Sequence, residues 1–126
     1  MTNSMKWLDA GWCDYFSPQL YWAIQPPEHS YSALLHWWAG QNSKRRHLWP
    51  GGNSANVGRG WSKEEIQKQI RLTRSEPGVS GHVHWNMKSL MSNAGGLADA
   101  LGKETYLQPA LIPASTWLDN KPPGQA

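Results

Sequence analysis

The sequence predicts an α/β domain built on parallel strands, and three observations carry that reading. Residues 15–22, Tyr-Phe-Ser-Pro-Gln-Leu-Tyr-Trp, form a run that is almost continuously apolar or aromatic, as a strand covered on both faces requires. Helix signals alternate with further short strand signals along the chain, the order that gives parallel strands joined by right-handed crossovers. At 126 residues the chain has single-domain size and can bury roughly two thirds of the surface its unfolded form exposes.

Taken in order, residues 4–10 read as the end of a helix with Trp7 and Leu8 on its apolar side. Gly11 stands where a helix stops in the left-handed conformation. The strand at 15–22 follows, and Pro18, which cannot donate to a ladder, should lie where pairing ends or bulges. Pro26 and Pro27 mark a loop over 25–29. Ser30 or Ser32 caps a helix running to Trp38 or Ala39 with Gly40 as its stop; Leu34, Leu35, Trp37 and Trp38 ask for burial over a wide arc. A second strand near 46–50 breaks into Gly51, Gly52 and Asn53, which read as turn chemistry rather than a phosphate loop. Ser62 and Glu65 form a capping box for the next helix. Ile66 and Ile70 share its inner face, Lys63, Gln67, Lys68, Arg71 and Arg74 point outward, and Pro77-Gly78 closes it. The third strand, 81–87, alternates Val83, Trp85 and Met87 with His82, His84 and Asn86. A helical turn at 88–91, a break at 93–96 and a short helix through Leu97, Ala98 and Leu101 follow. The tail from Tyr106 is proline-rich, with Trp117 and Leu118 as its last apolar anchors and 119–126 as a flexible end.

Composition narrows the function classes. Nine Trp stand against one Phe, and the mean hydropathy is -0.65, so the aliphatic core is thin. About two thirds of the tryptophans are expected to fill the core, since large aromatics are highly buried on average. The remainder would offer flat platforms for sugar rings or bases. The net charge of +3 is scattered apart from Lys44, Arg45 and Arg46, which read as a solvated loop or helix end. A nucleic-acid partner is therefore not expected. One cysteine, Cys13, excludes an internal disulfide and a Cys-based zinc site and reads as a buried apolar filler. His82 and His84 share one strand face, half of a metal site; with no third ligand at a suitable spacing they read as a hydrogen-bonded interior pair, and no metal or cofactor is expected. No apolar run near the N-terminus is long enough for a signal peptide or a membrane span. As written the chain is expected in the cytoplasm, and in the cell envelope or secreted if a further N-terminal part precedes Met1.

Several strings resemble one family. They are Asp14-Tyr15-Phe16-Ser17-Pro18-Gln19-Leu20-Tyr21-Trp22, the Trp37-Trp38 pair, Ser80-Gly81 with Lys88-Ser89-Leu90, Pro109-Ala110-Leu111-Ile112-Pro113, and Trp117-Leu118-Asp119. Together, from about Lys6 to Asp119, they resemble the C-terminal part of the glycosyl-hydrolase-like family ten barrels. These are bacterial (β/α)8 enzymes linked to polysaccharide cleavage, some of them acting on peptidoglycan glycan strands. The resemblance implies that the strands near 15–22, 46–50 and 81–87 are the sixth, seventh and eighth of a TIM barrel. A complete barrel takes about 250 residues, so residues 1–118 would make up the C-terminal portion only. The chain departs from the family in its Gly- and Pro-broken second strand and in the His84-Trp85 pair, where Phe is more usual.

In a barrel the reacting groups sit at the C-terminal ends of the strands, and glycoside hydrolysis normally uses two carboxyl groups. Of the nine acids in the chain, only Glu28, in the loop after the first strand, falls on that face; no catalytic pair can be assembled. The substrate-holding side is better supplied. Gln19 can donate and accept toward sugar hydroxyls, Tyr21 adds a hydroxyl, Trp22 and Trp85 offer faces for stacking, and Asn53 and Asn86 sit nearby. The leading expectation is a glycan-binding, inactive C-terminal fragment of a glycoside hydrolase; the alternative is a stand-alone carbohydrate-binding module. Three strands cut from a closed barrel leave open edges, so the expected partners are a glycan and either further copies of the chain or the missing N-terminal half-barrel, with no membrane.

Overall fold

The computed structural model describes residues 3–119 and 121. Helix α1 (Asn3–Ala10) is closed by Gly11 at φ 69°, whose N–H donates to the Leu8 carbonyl at 3.1 Å. Four short strands follow with helices between them. β1 (Tyr15–Phe16) runs parallel to β2 (His47–Leu48), with Tyr15 opposite His47. β3 (Gly51–Gly52) runs parallel to β4 (Val83–His84), with Gly51 opposite Val83. Gln19 is bridged in parallel to Gly51. The stretch holding β2 and β3 is thus central, flanked by the first strand and by β4.

The strands are shorter than the sequence suggests because prolines interrupt the donors, not the direction. Pro18 and Pro50 have no N–H to give, but their carbonyls accept from Gly51 N–H at 2.8 Å and Val83 N–H at 3.0 Å. Gly51 and Gly52 are ladder residues here and not a turn, a correction whose reason is the backbone pairing on both sides. Gly51 N–H donates to the Pro18 carbonyl, and the Gly51 and Gly52 carbonyls accept from Leu20 N–H and Trp85 N–H, both at 2.9 Å.

α2 (Tyr31–Gln41) begins at Ser30, whose Oγ accepts from Ala33 N–H at 3.2 Å, and it runs through Gly40 to a cap at Asn42. α3 (Lys63–Ser75) begins after Ser62 without a side-chain cap bond. The capping box expected there does not form: the Glu65 carboxylate reaches across to the loop after β1 instead. α4 (Met87–Met91) and α5 (Leu97–Ala100) follow β4, and α5 continues into a π-turn over Leu101–Thr105.

Alternation along the strands gives the sheet two different faces. On the helix side Phe16 meets Trp38 at 4.9 Å between ring centroids, and Leu20 joins Tyr31 and Leu35 in one core cluster. A second cluster of Val57, Ile66, Ile70, Leu97 and Leu101 ties α3 to α5. The Thr73 hydroxyl donates to the Gln69 carbonyl at 2.9 Å, so it can only accept from Tyr31, 2.7 Å away. Burial and this bond lock the Tyr31 phenol, whose pKa is raised by burial and partly brought back by Thr73. Gln67, expected outward, is buried and donates to Glu104 at 3.0 Å.

The opposite face is uncovered. Tyr15 stacks on Trp49 at 4.9 Å and Trp49 on His47 at 5.2 Å, while Val83 and Trp85 remain 45% and 56% exposed. The expectation that most tryptophans fill the core is overturned. Trp7, Trp12, Trp22, Trp37 and Trp85 all stand about half exposed or more, and the core is aliphatic with Tyr31. Cys13 is likewise only partly covered.

Residues 106–118 form a strap that crosses to the N-terminal ends of the strands. Tyr106 is held between His82 and His84. The Trp117 indole donates to the Asp14 carboxylate at 3.0 Å and packs edge-on to His47. Leu118, expected as an anchor, is 73% exposed. Of the flexible end expected over 119–126, residues 120 and 122–126 lie outside the described residues. No described helix is long and apolar enough to cross a membrane.

Candidate functional site

Because the strands are parallel, their carboxyl ends share one edge, the usual place for ligands in α/β sheets. Gln19 sits there through its bridge to Gly51. The Tyr21 ring lies 3.7 Å from where a side chain at Gly51 would begin, and burial raises the Tyr21 pKa. Asn53 follows β3 directly and opens the 3-10 turn Ser54–Asn56. Trp85 closes the edge, its N–H donating to Gly52 at 2.9 Å and its carbonyl accepting from Ala55 at 2.8 Å. The Trp85–Asn86 peptide is cis. Backbone pairing places Gln19 and Trp85 at this edge, and Tyr21 and Asn53 stand next to the paired residues Leu20 and Gly52.

Trp22 and Asn86 are placed differently. Trp22 is 49% exposed and leans on His29 at 5.5 Å, in the loop that also carries Glu28 in the turn Pro27–His29. Glu28 is exposed on that loop. The Asn86 side chain accepts from Ser89 N–H at 3.4 Å as the N-cap of α4, so its carbonyl oxygen is committed to holding a helix.

Glu65, which the sequence assigned to a capping box, and Gln69, which it did not single out, fix this edge. Glu65 Oε1 accepts from Ile24 N–H at 2.7 Å and from Gln69 Nε2 at 2.9 Å. Gln69 Nε2 also donates to the Trp22 carbonyl at 3.2 Å. Helix α3 thereby pins the loop bearing Trp22 and Glu28. Glu65 stands three residues after Ser62, a spacing that already had a local explanation, and so gave no sign of a partner 41 positions away.

His82 and His84 point to the helix side, away from the uncovered face. Both Nε2 atoms contact the Tyr106 hydroxyl, His84 at 2.8 Å, and His84 Nδ1 lies 2.6 Å from Ser54 Oγ. A phenol has one proton, so it donates to one imidazole and accepts from the other. Burial first, then the neighbouring His84 and Arg74, lowers the His82 pKa to about 4. Burial lowers that of His84 and pushes Tyr106 up to about 12. All three are therefore uncharged at neutral pH. The pair is an interior hydrogen-bonded unit, and among the described residues no cluster of three or more His, Cys, Asp or Glu could hold a metal. Ser54 and Tyr106 were not legible as its partners.

No family model matches the chain. It is 36% identical over 127 residues to the glycosyl hydrolase YngK of Bacillus subtilis, which covers 96% of this chain and 25% of that protein. It is 27% identical over 92 residues to the glycosyl hydrolase DigH of Escherichia coli K12, covering 64% of this chain and 21% of that protein. The chain is thus glycosyl-hydrolase-like in sequence and spans about a quarter of the length of the curated relatives it matches.

Proposed function

We propose that this glycosyl-hydrolase-like chain is the C-terminal portion of a (β/α)8 glycoside hydrolase and that its strand ends hold a polysaccharide. The observation that carries the reading is the gathering of Gln19, Tyr21, Asn53 and Trp85 at one carboxyl edge, with the exposed Trp22 ring beside it. Amide and hydroxyl groups that donate and accept suit sugar hydroxyls, and the indole faces suit the apolar faces of pyranose rings. Similarity along 96% of the chain to a quarter of a larger hydrolase supports the fragment reading. The uncovered sheet face supports it too, being the side a closed barrel would enclose.

Cleavage itself needs two carboxyl groups flanking the bond. Near this edge Glu28 is exposed while the Glu65 carboxylate is engaged by Ile24 N–H and Gln69, so the chain positions the glycan and the cleaving groups come from the earlier strands of the complete protein. Peptidoglycan glycan strands are the substrate class proposed, on the family resemblance set out above. Self-association through the uncovered face is the state proposed for the chain by itself.

The test is a tryptophan indole titration by NMR with chito-oligosaccharides and with peptidoglycan glycan strands. The Trp22 and Trp85 indole resonances should shift in a saturable way while Trp37, on α2, stays in place, and Gln19→Ala should weaken the effect. Equal shifts at Trp37, or none at Trp22 and Trp85 in a chain transplanted in place of the matching quarter of YngK, would sink the proposal.

A further inference from the structure

Arg46 is not the solvated cation that the basic run Lys44-Arg45-Arg46 suggested. Its guanidinium is turned inward between α1 and the strap, Nη2 donating to the Gly11 carbonyl at 2.8 Å and Cζ lying 4.7 Å from the Trp117 ring centroid. Gly11 is favoured there by its φ of 69°, and a side chain at this position would begin 2.9 Å from Nη2. The backbone is fixed as tightly: Asn42 accepts from Arg46 N–H at 2.9 Å and donates to its carbonyl at 2.7 Å. The side chain is therefore held through Nη2 at the Gly11 carbonyl and through its face on Trp117.

The rest of the guanidinium is unsatisfied. Nε and Nη1 of Arg46 are buried and find no hydrogen-bond partner among the described residues. The ion pairs among those residues, His36 with Glu76 and Lys103 with Asp99, leave Arg46 out. Asp14, the acid at the base of β1, is engaged by the Trp117 indole. Buried N–H groups without an acceptor are unfavourable, and a guanidinium is the side chain best shaped for a carboxylate or phosphate. Next to it lies a cavity of about 330 Å³ at the N-terminal ends of the strands, lined by Arg45, Arg46, His47, Ser80 and Thr116. His47 and Ser80 are already bonded to each other and to Ser115 and Trp49, which leaves Arg45, Arg46 and Thr116 as the lining residues with donors to offer a guest. The volume suits a small anion with its water.

We propose that Arg46 anchors a binding site for an oxyanion, a carboxylate or phosphate group, in this cavity. The site lies at the opposite ends of the strands from the glycan edge and is independent of the reading given there. Arg45 supplies the second positive charge and Thr116 a hydroxyl donor from the strap, so an occupied site would also fasten the strap to β2. The oxyanion can be a free small anion or a carboxylate side chain of a second copy of the chain; the chemistry is the same.

The experiment follows the Arg46 Nε–H resonance, identified by its loss in Arg46→Lys, during titration with inorganic phosphate and with acetate at constant ionic strength set by chloride. A saturable shift at Arg46, with the Nε–H of Arg59 unmoved, is the expected result and assigns a free anion. Calorimetry should show phosphate binding weakened about tenfold by Arg45→Ser, which leaves Arg46 and its packing in place; tenfold corresponds to about 1.4 kcal/mol. Movement of the Arg46 signal with protein concentration in the absence of added anion assigns the carboxylate of a second copy. An Arg46 resonance indifferent to phosphate, acetate and protein concentration overturns the proposal.

Discussion

Removing the Glu65 carboxylate tests whether α3 builds the candidate site or merely lies beneath it. In Glu65→Ala, Ile24 N–H loses its acceptor at 2.7 Å and Gln69 Nε2 one of its two, at 2.9 Å. Hydrogen bonds to a charged group contribute about 1.5–3 kcal/mol each, but Gln69 Nε2 keeps the Trp22 carbonyl. The expected loss is therefore one strong bond and part of a second, about 2–3 kcal/mol. Glu65→Gln keeps an acceptor oxygen without the charge and should lose about 1 kcal/mol. With a urea slope of about 2 kcal/mol per molar, the alanine variant should unfold at a midpoint lower by about 1–1.5 M and the glutamine variant by about 0.5 M. Circular dichroism gives the midpoints, and hydrogen exchange at the Ile24 amide reports the bond itself. If the Ile24 amide kept its protection in Glu65→Ala, or if both variants melted with the parent, the clamp would not exist as described.

Two further outcomes follow from other parts of the fold. His82 has a folded pKa of about 4 against 6.5 for an unperturbed histidine. The unfolded chain therefore binds the proton first, and stability present above pH 6.5 should fall as pH drops toward 4. The loss approaches about 3 kcal/mol at most, in urea midpoints measured from pH 7 to 4, and His82→Gln should flatten that slope. At the N-terminal ends of the strands, Gly81→Ala would place a methyl 3.1 Å from Trp49 Cδ1. Trp49 must then shift from its bond to Ser80 at 2.8 Å, and a cost of about 1–3 kcal/mol is expected in thermal melts.

What could be read from the sequence was local. Ser30 announces α2 because a capping hydroxyl needs only the next turn of backbone, and Gly11 ends α1 for an equally local reason. The helix end was misread because Gly40 stays helical and Asn42 stops the chain instead. Strand lengths were overestimated where Pro18 and Pro50 break the donors, although both carbonyls remain in the ladder. The placement of the candidate residues was partly legible: parallel pairing puts Gln19 and Trp85 at one edge, with Tyr21 and Asn53 beside them. Glu65, Ser54, Tyr106 and the inward turn of Arg46 were not, since each depends on a partner more than 20 positions away. The tryptophans mislead for the same kind of reason. Composition records how much aromatic surface there is, and only the tertiary arrangement decides which side of the sheet it lies on.

The contact between Trp117 and Asp14 joins positions 103 apart, and it carries a timetable for folding. A chain made from its N-terminus can pair β1 with β2 early. The base of the first strand, however, is sealed by a residue made 103 positions later. Closing so long a loop costs little more free energy than closing a short one, but such contacts are slow to find. Until the strap arrives, the Asp14 carboxylate meets water, and the half-built sheet is held by its ladder and by the helices packed on its other side, α2 and α3.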